Sequence, residues 1–353
     1  MKYIKIPSVW LSIHLVLLFL MVQIWACKDD DKNDLQLQNQ IGFIVPSHFP
    51  APHYKLENNA LNNASFQLGK MLFYDPILSA DSTISCATCH AQVHGFADHN
   101  MKFSEGINGL LGERNSPALS NLAWQPSFMW DGGINHIEVM SFAPITNPVE
   151  MNEDMAHVVK KLSANIKYIN QFKHAFGNSE ITDQKVLKAL AQFMTLMVSA
   201  NSKYDKVITG KATFSENEQK GYALFQSKCS HCHKEPLLSD FSYRNNGLDS
   251  SFKDSGRKKI TQKEEDNGKF KVPSLRNIAL TYPYMHDGRF NSLESVLKHY
   301  SSGVVLSATL DASLKQGYHL SEEEQNNIIL FLKTLTDNDY LSNPLLQEPK
   351  TFK

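Results

Sequence analysis

Hydrophobic residues recur at the spacing of one helix face in four stretches of the chain, which predicts four amphipathic helices. Two begin at Ser65 and Thr182, and two begin at Ser215 and Ser321, where a glutamate three residues later completes a capping box. The apolar residues of the four predicted faces are Leu68, Met71, Leu72 and Phe73; Val186, Leu187, Leu190, Phe193, Met194 and Met197; Leu224 and Phe225; and Ile328, Ile329, Phe331, Leu332 and Leu335. The polar stretch 241–267 predicts a long loop. The pattern therefore predicts a mainly α fold.

Two of the predicted helices share a motif, which indicates an internal repeat. Residues Gly69–Phe73 read Gly-Lys-Met-Leu-Phe, and residues Gly221–Phe225 read Gly-Tyr-Ala-Leu-Phe. Each copy is followed by one of the other two helices, which closes its unit. A chain of 353 residues is long enough for about two domains. We therefore predict two similar units, at residues 43–205 and 206–340, and a tail at 341–353.

Composition and charge exclude one class of partner. Hydrophobic residues make up 42% of the chain and charged residues 20%, which is typical of a globular protein, and the formal net charge is −1. The densest basic run is Arg257-Lys258-Lys259, within the polar loop. Because this run is too short to follow a phosphate backbone, the sequence argues against a nucleic-acid partner.

The N-terminus has the order of an export signal. Two lysines precede an apolar stretch from residue 9 to residue 24, which is short for a membrane span. Cys27 follows a small residue at its end, so residues 1–26 resemble a lipoprotein signal peptide with Cys27 as the lipidated residue, and 27–42 form a polar tether. The alternative is an uncleaved N-terminal anchor. Either arrangement predicts an exported protein, in the periplasm or attached to the outer membrane.

The remaining cysteines lie in two Cys-x-x-Cys-His motifs. Residues Cys86–His90 read Cys-Ala-Thr-Cys-His, and residues Cys229–His233 read Cys-Ser-His-Cys-His. In c-type haem attachment the two thiols of such a motif reach the two vinyl groups on one porphyrin edge, and the adjacent imidazole reaches the iron. The predicted haem-binding residues are Cys86, Cys89, His90, Cys229, Cys232 and His233.

Two alternatives to haem use the same cysteines. A four-thiolate zinc site normally has its pairs about 15–20 residues apart, whereas here the second pair begins 143 residues after the first. A redox disulfide at either pair is compatible with export. Neither alternative explains a histidine directly after both pairs, so the motifs favour two haems.

Five further segments resemble the bacterial di-haem cytochrome c peroxidase family, and the resemblance extends over roughly residues 42–338. The segments are Arg114–Pro117, Phe128–Gly133, Pro144–Met151, Phe270–Asn277 and Tyr282–Gly288. The resemblance implies two cytochrome c-like haem domains with long loops. It also implies an enzyme that reduces hydrogen peroxide to water with electrons from exported donors such as small cytochromes, often as a homodimer.

The resemblance also implies roles for single residues. His90 would bind the peroxidatic haem iron and His233 the electron-transfer haem iron. Glu150 would be the distal acid–base residue, because splitting the O–O bond requires a proton to move between the two oxygens. Trp130 would lie between the haems and mediate electron transfer. The residues that match an inter-domain calcium site are Asn115, Thr281 and Pro283.

The chain departs from the family near the peroxidatic haem. Many members carry a distal histidine that must leave before the enzyme is active, but residues 102–112 contain no histidine, and Ile107 takes the matching position. The expectation is an iron that is open at rest. His94 and His99 lie too early for the match and are expected to be loop histidines. Met140 replaces a pocket glutamine of the family.

A second departure concerns the electron-transfer haem. Where the common peroxidases have an axial methionine, this chain has Tyr300, which resembles the di-haem enzyme of methylamine utilisation. A phenolate lowers the potential of a haem iron, whereas a thioether raises it. Met285 and His299 are the alternative ligands.

Three functions follow from these patterns. The first is a peroxidase that takes electrons from an exported donor. The second is an enzyme that oxidises residues on a protein partner, as Tyr300 suggests. The third is a non-catalytic electron carrier, which Glu150 and the open haem argue against.

Overall fold

Long helices packed in two pairs organise the chain, and the predicted mainly α fold is confirmed. The computed structural model describes residues 41–350. The α-helices of these residues are α1 (Asn63–Tyr74), α2 (Cys86–Cys89), α3 (Phe142–Thr146), α4 (Met155–Ser163), α5 (Ile166–Phe176), α6 (Asp183–Thr195), α7 (Lys203–Ile208), α8 (Glu216–Lys228), α9 (Lys258–Thr261), α10 (Leu293–Lys298), α11 (Glu322–Lys333) and α12 (Asn338–Leu341). In the first pair α1 packs against α6, and in the second α8 packs against α11.

The helix starts follow the predicted capping residues in three of four cases. Thr182 caps α6, and the capping boxes at Ser215 and Ser321 are both formed. The fourth helix, α1, begins two residues before Ser65, because Asn62 is its cap and accepts a 2.8 Å hydrogen bond from the Ser65 amide. Asparagine is as good a cap as serine, so the earlier start satisfies the same amide.

Each helix pair crosses at a glycine. A Cβ atom at Gly69 would lie 1.9 Å from the carbonyl oxygen of Ala189 in α6, and a Cβ at Gly221 would lie 1.9 Å from that of Asn327 in α11. An ordinary side chain does not fit at either crossing, so only glycine allows the helices to come this close. The two glycines begin the shared motif, and the structure therefore gives the internal repeat a physical role.

We expect Gly69→Ala and Gly221→Ala each to lower the free energy of unfolding by about 1–3 kcal/mol, because the added methyl group forces the helices apart. Thermal and chemical unfolding followed by far-UV circular dichroism measures this loss. Gly42→Ala is the control, since nothing lies within 4 Å of its Cβ position. Equal stability of all three variants would contradict the close crossings.

A loop of each unit docks onto the end of the closing helix in the same way. Asn121 and Asn277 both have left-handed backbone conformations, with φ of 54° and 59°. The Asn121 amide donates to Met197 O at 2.8 Å, and the Asn277 amide donates to Leu335 O at 3.1 Å. Both acceptors lie two residues past a closing helix, at the ends of α6 and α11. The two halves therefore have equivalent loops as well as equivalent helices.

The predicted boundary at residue 205 falls inside α7. Arg276 donates two hydrogen bonds of 2.8 Å to the carboxylate of Asp205, and both side chains are buried. His48 Nε2 lies 2.9 Å from the same carboxylate, and Ser202 donates to it as well. Residues from both predicted units thus hold α7, which is not an exposed linker.

The predicted long loop at 241–267 contains short regular elements. Strand β1 (Tyr243–Arg244) pairs antiparallel with β2 (Phe270–Lys271), and α9 lies between them. A five-residue π-helix, His299–Gly303, directly follows α10. These two features bring side chains toward the second haem motif.

The predicted tail packs back onto the first unit. Leu346 is fully buried, and the Tyr74 hydroxyl donates to its carbonyl oxygen at 2.6 Å. Gln92, three residues past the first cysteine pair, donates from its side chain to Asn343 O at 3.0 Å. The described part of the tail therefore stabilises the region around the first haem motif.

The predicted signal peptide at 1–26, Cys27 and most of the tether lie outside the described residues. Within residues 41–350, no helix has both the length and the apolarity needed to cross a membrane. Lipid attachment at Cys27 stays a prediction.

Candidate functional site

The first Cys-x-x-Cys-His motif forms one helical turn followed by its histidine. Helix α2 spans Cys86–Cys89, and Ser85 and Thr88 form a capping box at its start. His90 Nδ1 lies 2.9 Å from Phe96 O. An Nδ1–H that donates to a carbonyl leaves Nε2 as the metal-binding nitrogen. Burial lowers the pKa of His90 to about 4, so the imidazole stays neutral, which is the form that binds iron.

The second motif repeats this arrangement. His233 Nδ1 lies 3.2 Å from both Leu238 O and Pro273 O. Burial lowers the pKa of His233 as well. Both histidines are thus oriented by backbone carbonyls and kept neutral, as a haem ligand requires.

The motif cysteines fit haem attachment better than the two alternatives. None of the four is joined to another cysteine by a disulfide, and burial raises the pKa of Cys86 and Cys229 to about 12. In the described part of the chain no group of three or more His, Cys, Asp or Glu is placed to hold a metal ion, so the cysteine pairs do not converge on a zinc site. Each motif presents two thiols and one neutral imidazole, which are the groups that a c-type haem uses.

We expect the mature protein to carry two covalent haems, with pyridine haemochrome absorbance and intact mass both reporting two. Denaturation should not release them, because thioether bonds survive unfolding. Replacing both cysteines of one motif by alanine should leave one haem, and each motif serves as the control for the other. A single haem in the unaltered chain, or zinc at the Cys229 pair, would overturn this assignment.

Glu150 lies partly buried beside the first motif. Its Oε1 accepts a 2.6 Å hydrogen bond from the Asn147 side chain. Burial raises the pKa of Glu150, and the Asn147 bond opposes this only in part. Burial, with a smaller contribution from nearby charges that include Glu150, also raises the pKa of Cys89 to about 11, so the carboxyl lies within electrostatic range of the haem motif.

Ile107 lies against the same glutamate. Its side chain is buried, and its amide donates to Glu150 O at 2.8 Å. A Cβ at the preceding Gly106 would lie 2.2 Å from Val149 O, so this turn packs tightly on the segment that carries Glu150. The residue predicted to replace the distal histidine is therefore a neighbour of the predicted acid–base residue.

His94 and His99 pair with each other. Their rings stack with centroids 4.0 Å apart, and the His99 ring meets the Tyr282 ring edge-on at 4.4 Å. Both histidines are partly buried. They pack against a segment of the second unit, which gives them a structural role.

Trp130 forms hydrogen bonds with residues of both predicted units. Its indole Nε1 donates to Asn115 O at 2.7 Å, and its own carbonyl oxygen accepts from the Lys271 amide at 2.7 Å. The Asn115 amide in turn donates to His286 O at 2.8 Å. The structure thus places Trp130 at the junction of the two predicted units, and its position between two haems stays a prediction.

An internal repeat around Trp130 becomes evident in the structure. Residues 128–132 read Phe-Met-Trp-Asp-Gly and residues 284–288 read Tyr-Met-His-Asp-Gly, with Met129 and Met285 both at positive φ, 65° and 75°. Trp130 and His286 hold equivalent places, so the bonds that they accept across the junction are two copies of one contact. The signal in the sequence was the matching spacing of Met, Asp and Gly.

Lys271 anchors the Trp130 segment, a role that the sequence analysis did not assign to it. Its Nζ donates to Gln125 Oε1 and to Ser127 O, each at 2.8 Å. Burial lowers the pKa of Lys271 to about 7. The lysine therefore anchors the loop before Trp130 from the opposite unit.

Tyr300 and Met285, two of the predicted ligands of the second iron, approach the same side-chain amide. Asn246 Nδ2 lies 3.5 Å from Tyr300 Oη and 3.2 Å from Met285 Sδ. Burial raises the pKa of Tyr300 to about 12, and the charges of Cys232 and Cys229 add to the increase. Both candidate ligands therefore lie near the second haem motif.

His299, the third predicted ligand, is held by the backbone. Its Nε2 lies 2.9 Å from Asn246 O, and its Nδ1 faces Gly303. With both nitrogens engaged, His299 serves to fix the polypeptide around Asn246.

The predicted calcium residues come to the same junction of the two units. Thr281 lies against Gly95, and Pro283 leads into the turn of His286, whose carbonyl accepts from Asn115. The Asn115 side chain donates to Met101 O at 3.2 Å. Calcium binding stays a prediction.

The chain is similar to known proteins in sequence and in fold. The profile of the family "Di-haem cytochrome c peroxidase" matches residues 63–213. The chain is 37% identical to methylamine utilization protein MauG of Methylorubrum extorquens over 290 residues, which are 80% of this chain and 81% of that protein. It is 35% identical to cytochrome c551 peroxidase of Nitrosomonas europaea over 276 residues, 76% of this chain and 79% of that one. A solved MauG-like protein associated with microbial copper homeostasis has a TM-score of 0.82 and 30% identity, with 88% of this chain and 99% of that chain covered.

Proposed function

Because this chain belongs to the di-haem cytochrome c peroxidase family and is an oxidoreductase of that family, we propose that it reduces hydrogen peroxide to water with electrons from an exported donor such as a small cytochrome. The observation that carries the proposal is Glu150, a partly buried carboxyl with a raised pKa beside the first haem motif. Electron transfer alone does not require an acid–base group beside a haem motif. A haem held by His90 would supply the redox chemistry for peroxide reduction.

Glu150 supplies proton transfer in this proposal. Its carboxylate takes a proton from one peroxide oxygen and returns it to the other, which leaves as water. Two electrons and two protons convert one peroxide to two waters. Asn147 donates to Oε1 at 2.6 Å and so orients the carboxyl, while the Ile107 amide holds the Glu150 backbone through a 2.8 Å hydrogen bond.

Trp130 is proposed to carry electrons between the two units. Its indole is bonded to Asn115 and its backbone to Lys271, so the ring is fixed at the junction. Fixing a mediator in this way reduces the reorganisation that accompanies electron transfer. The proposed direction is from the His233 haem to the His90 haem.

A second candidate function is oxidation of residues on a protein partner. Tyr300 favours it, because a phenolate stabilises higher oxidation states of iron, and MauG proteins are among the relatives. The same side chains would serve both functions, with the electrons coming from a protein surface instead of a cytochrome.

Steady-state turnover of the purified di-haem protein tests the proposal. With hydrogen peroxide and a reduced small cytochrome, we expect cytochrome oxidation that depends on peroxide, with two cytochromes oxidised per peroxide. Oxidation of a partner protein without turnover of any reduced cytochrome would support the second candidate. Loss of peroxide dependence altogether would leave only an electron carrier.

The resting state is expected to show one high-spin and one low-spin haem by electron paramagnetic resonance, because Ile107 offers no distal ligand. The low-spin signal should change in Tyr300→Phe. Tyr318→Phe is the matched control, since its ring lies 6.5 Å from that of Tyr300. Two low-spin signals, with activity only after half-reduction, would mean that His94 or His99 binds the first iron.

Three further features are proposed. They are export with a lipid at Cys27, a calcium ion held by Asn115, Thr281 and Pro283, and assembly as a homodimer. Mass spectrometry of the mature N-terminus, metal analysis and sedimentation test them in turn.

A further inference from the structure

Two side chains of different chemistry share one hydrogen-bond donor beside the second haem motif. Asn246 Nδ2 is 3.2 Å from the sulfur of Met285 and 3.5 Å from the phenol oxygen of Tyr300. A thioether is a soft, neutral ligand, and a phenolate is a hard, anionic one. A single amide therefore contacts both atoms that compete for the iron.

The backbone of Asn246 is fixed on both sides. Its carbonyl lies 2.9 Å from His299 Nε2, and the side chain of the preceding Asn245 is buried and contacts Ser307 and Thr309 at 2.9 Å each. The backbone from which the Asn246 side chain extends is therefore held in place beside both candidate ligands.

Both candidate ligands lie on unusual backbone. Tyr300 is in the π-helix His299–Gly303, and Met285 has a φ of 75°, a region that side-chain-bearing residues seldom occupy. π-Helical turns are frequent at functional sites. The positive φ of Met285 matches that of Met129 in the repeated turn, while the π-helix brings the Tyr300 hydroxyl to Asn246.

We propose that Asn246 is a positioning residue that selects Tyr300 over Met285 as the ligand of the second haem iron. Its N–H stabilises negative charge on the phenol oxygen and occupies a lone pair of the Met285 sulfur, which weakens the thioether as a donor. The inference rests on the proposed assignment of Tyr300 as a ligand. Met285 is then the alternative ligand, which binds the iron when Asn246 is absent.

Asn246→Leu tests the selection, because leucine keeps the shape of asparagine and removes the donor. In the oxidised di-haem protein we expect the low-spin resonance of a phenolate-bound haem to decrease, a thioether-to-ferric charge-transfer band to appear, and the midpoint potential of that haem to rise. The double variant Asn246→Leu/Met285→Leu should lose the new band. The exposed Asn291→Leu is the control and should leave all three signals unchanged.

The outcomes separate the two assignments. A phenolate signal in the unaltered protein that persists in Asn246→Leu overturns the role of Asn246 and leaves Tyr300 in place. A thioether band already present in the unaltered protein overturns the assignment of Tyr300 itself. If Asn246→Leu does not incorporate two haems, Asn246→Ala, which removes the same donor without adding bulk, is measured against the same expectations.

Discussion

Glu150→Gln is expected to lower steady-state peroxide turnover by about 100-fold or more while both haems stay attached, since general acid–base catalysis typically contributes 10²–10⁴-fold. Glutamine keeps the size of the side chain and the bond to Asn147, but its amide cannot accept and return a proton. Rates with peroxide and a reduced cytochrome, at equal haem content, measure the loss. Glu105→Gln is the matched control, because Glu105 is an exposed carboxylate in the neighbouring turn.

The pH dependence supplies a second test of the same residue. Burial raises the pKa of Glu150, so the carboxylate needed as a base becomes protonated at a higher pH than an ordinary glutamate, whose pKa is about 4.3. Turnover should therefore fall on the acid side with an apparent pKa above that value. Glu150→Gln should lack this limb. Turnover in Glu150→Gln equal to that of the unaltered enzyme would remove Glu150 from the catalytic site.

Arg276→Leu is expected to cost about 3–5 kcal/mol of unfolding free energy, the usual result of leaving one partner of a buried ion pair without its counter-charge. Arg276 is 1% exposed and Asp205 is 2% exposed. Chemical denaturation followed by circular dichroism measures the change. Lys203→Met is the control, because Lys203 lies on the same helix but pairs with Glu218 at the surface, where such a loss is typically about 0–1 kcal/mol.

This ion pair also predicts how stability depends on pH. Arg276 holds the pKa of Asp205 below its usual value even though burial alone would raise it. A carboxyl with a lowered pKa in the folded state stabilises the fold above the unfolded pKa of about 3.9 and loses that contribution as the pH falls through the folded pKa. The stability gap between the unaltered protein and Arg276→Leu should therefore narrow in acid. A gap that does not change with pH would contradict the ionic origin.

Predictions from local sequence agreed with the structure where the signal and the feature lie in the same few residues. The capping boxes at Ser215 and Ser321 set helix starts because their hydrogen bonds close within four residues. The haem motifs were recognisable for the same reason, since two thiols and an imidazole within five residues are enough to define the chemistry. The start of α1 was misplaced because Asn62 and Ser65 are both competent caps, and the local pattern does not choose between them.

Contacts between distant segments had no comparable local signal. The boundary expected at residue 205 lies inside α7, where Asp205 also pairs with Arg276, 71 positions away. Lys271 was not predicted to anchor Trp130, since a single lysine is ordinarily a solvated charge. The equivalence of Trp130 and His286 was hidden because these two residue types differ and only their neighbours match.

The sequence by itself determined the helical class and predicted the repeated units and the haem-binding residues, because periodicity, capping and close ligand spacing are properties of short segments. Only the tertiary structure decided that Glu150 lies against Ile107, that Trp130 joins both halves, and that Asn246 contacts Tyr300 and Met285. Each of these contacts joins segments that are distant in the sequence. Such packing is a property of the whole chain, so no short pattern specifies which loop residues meet.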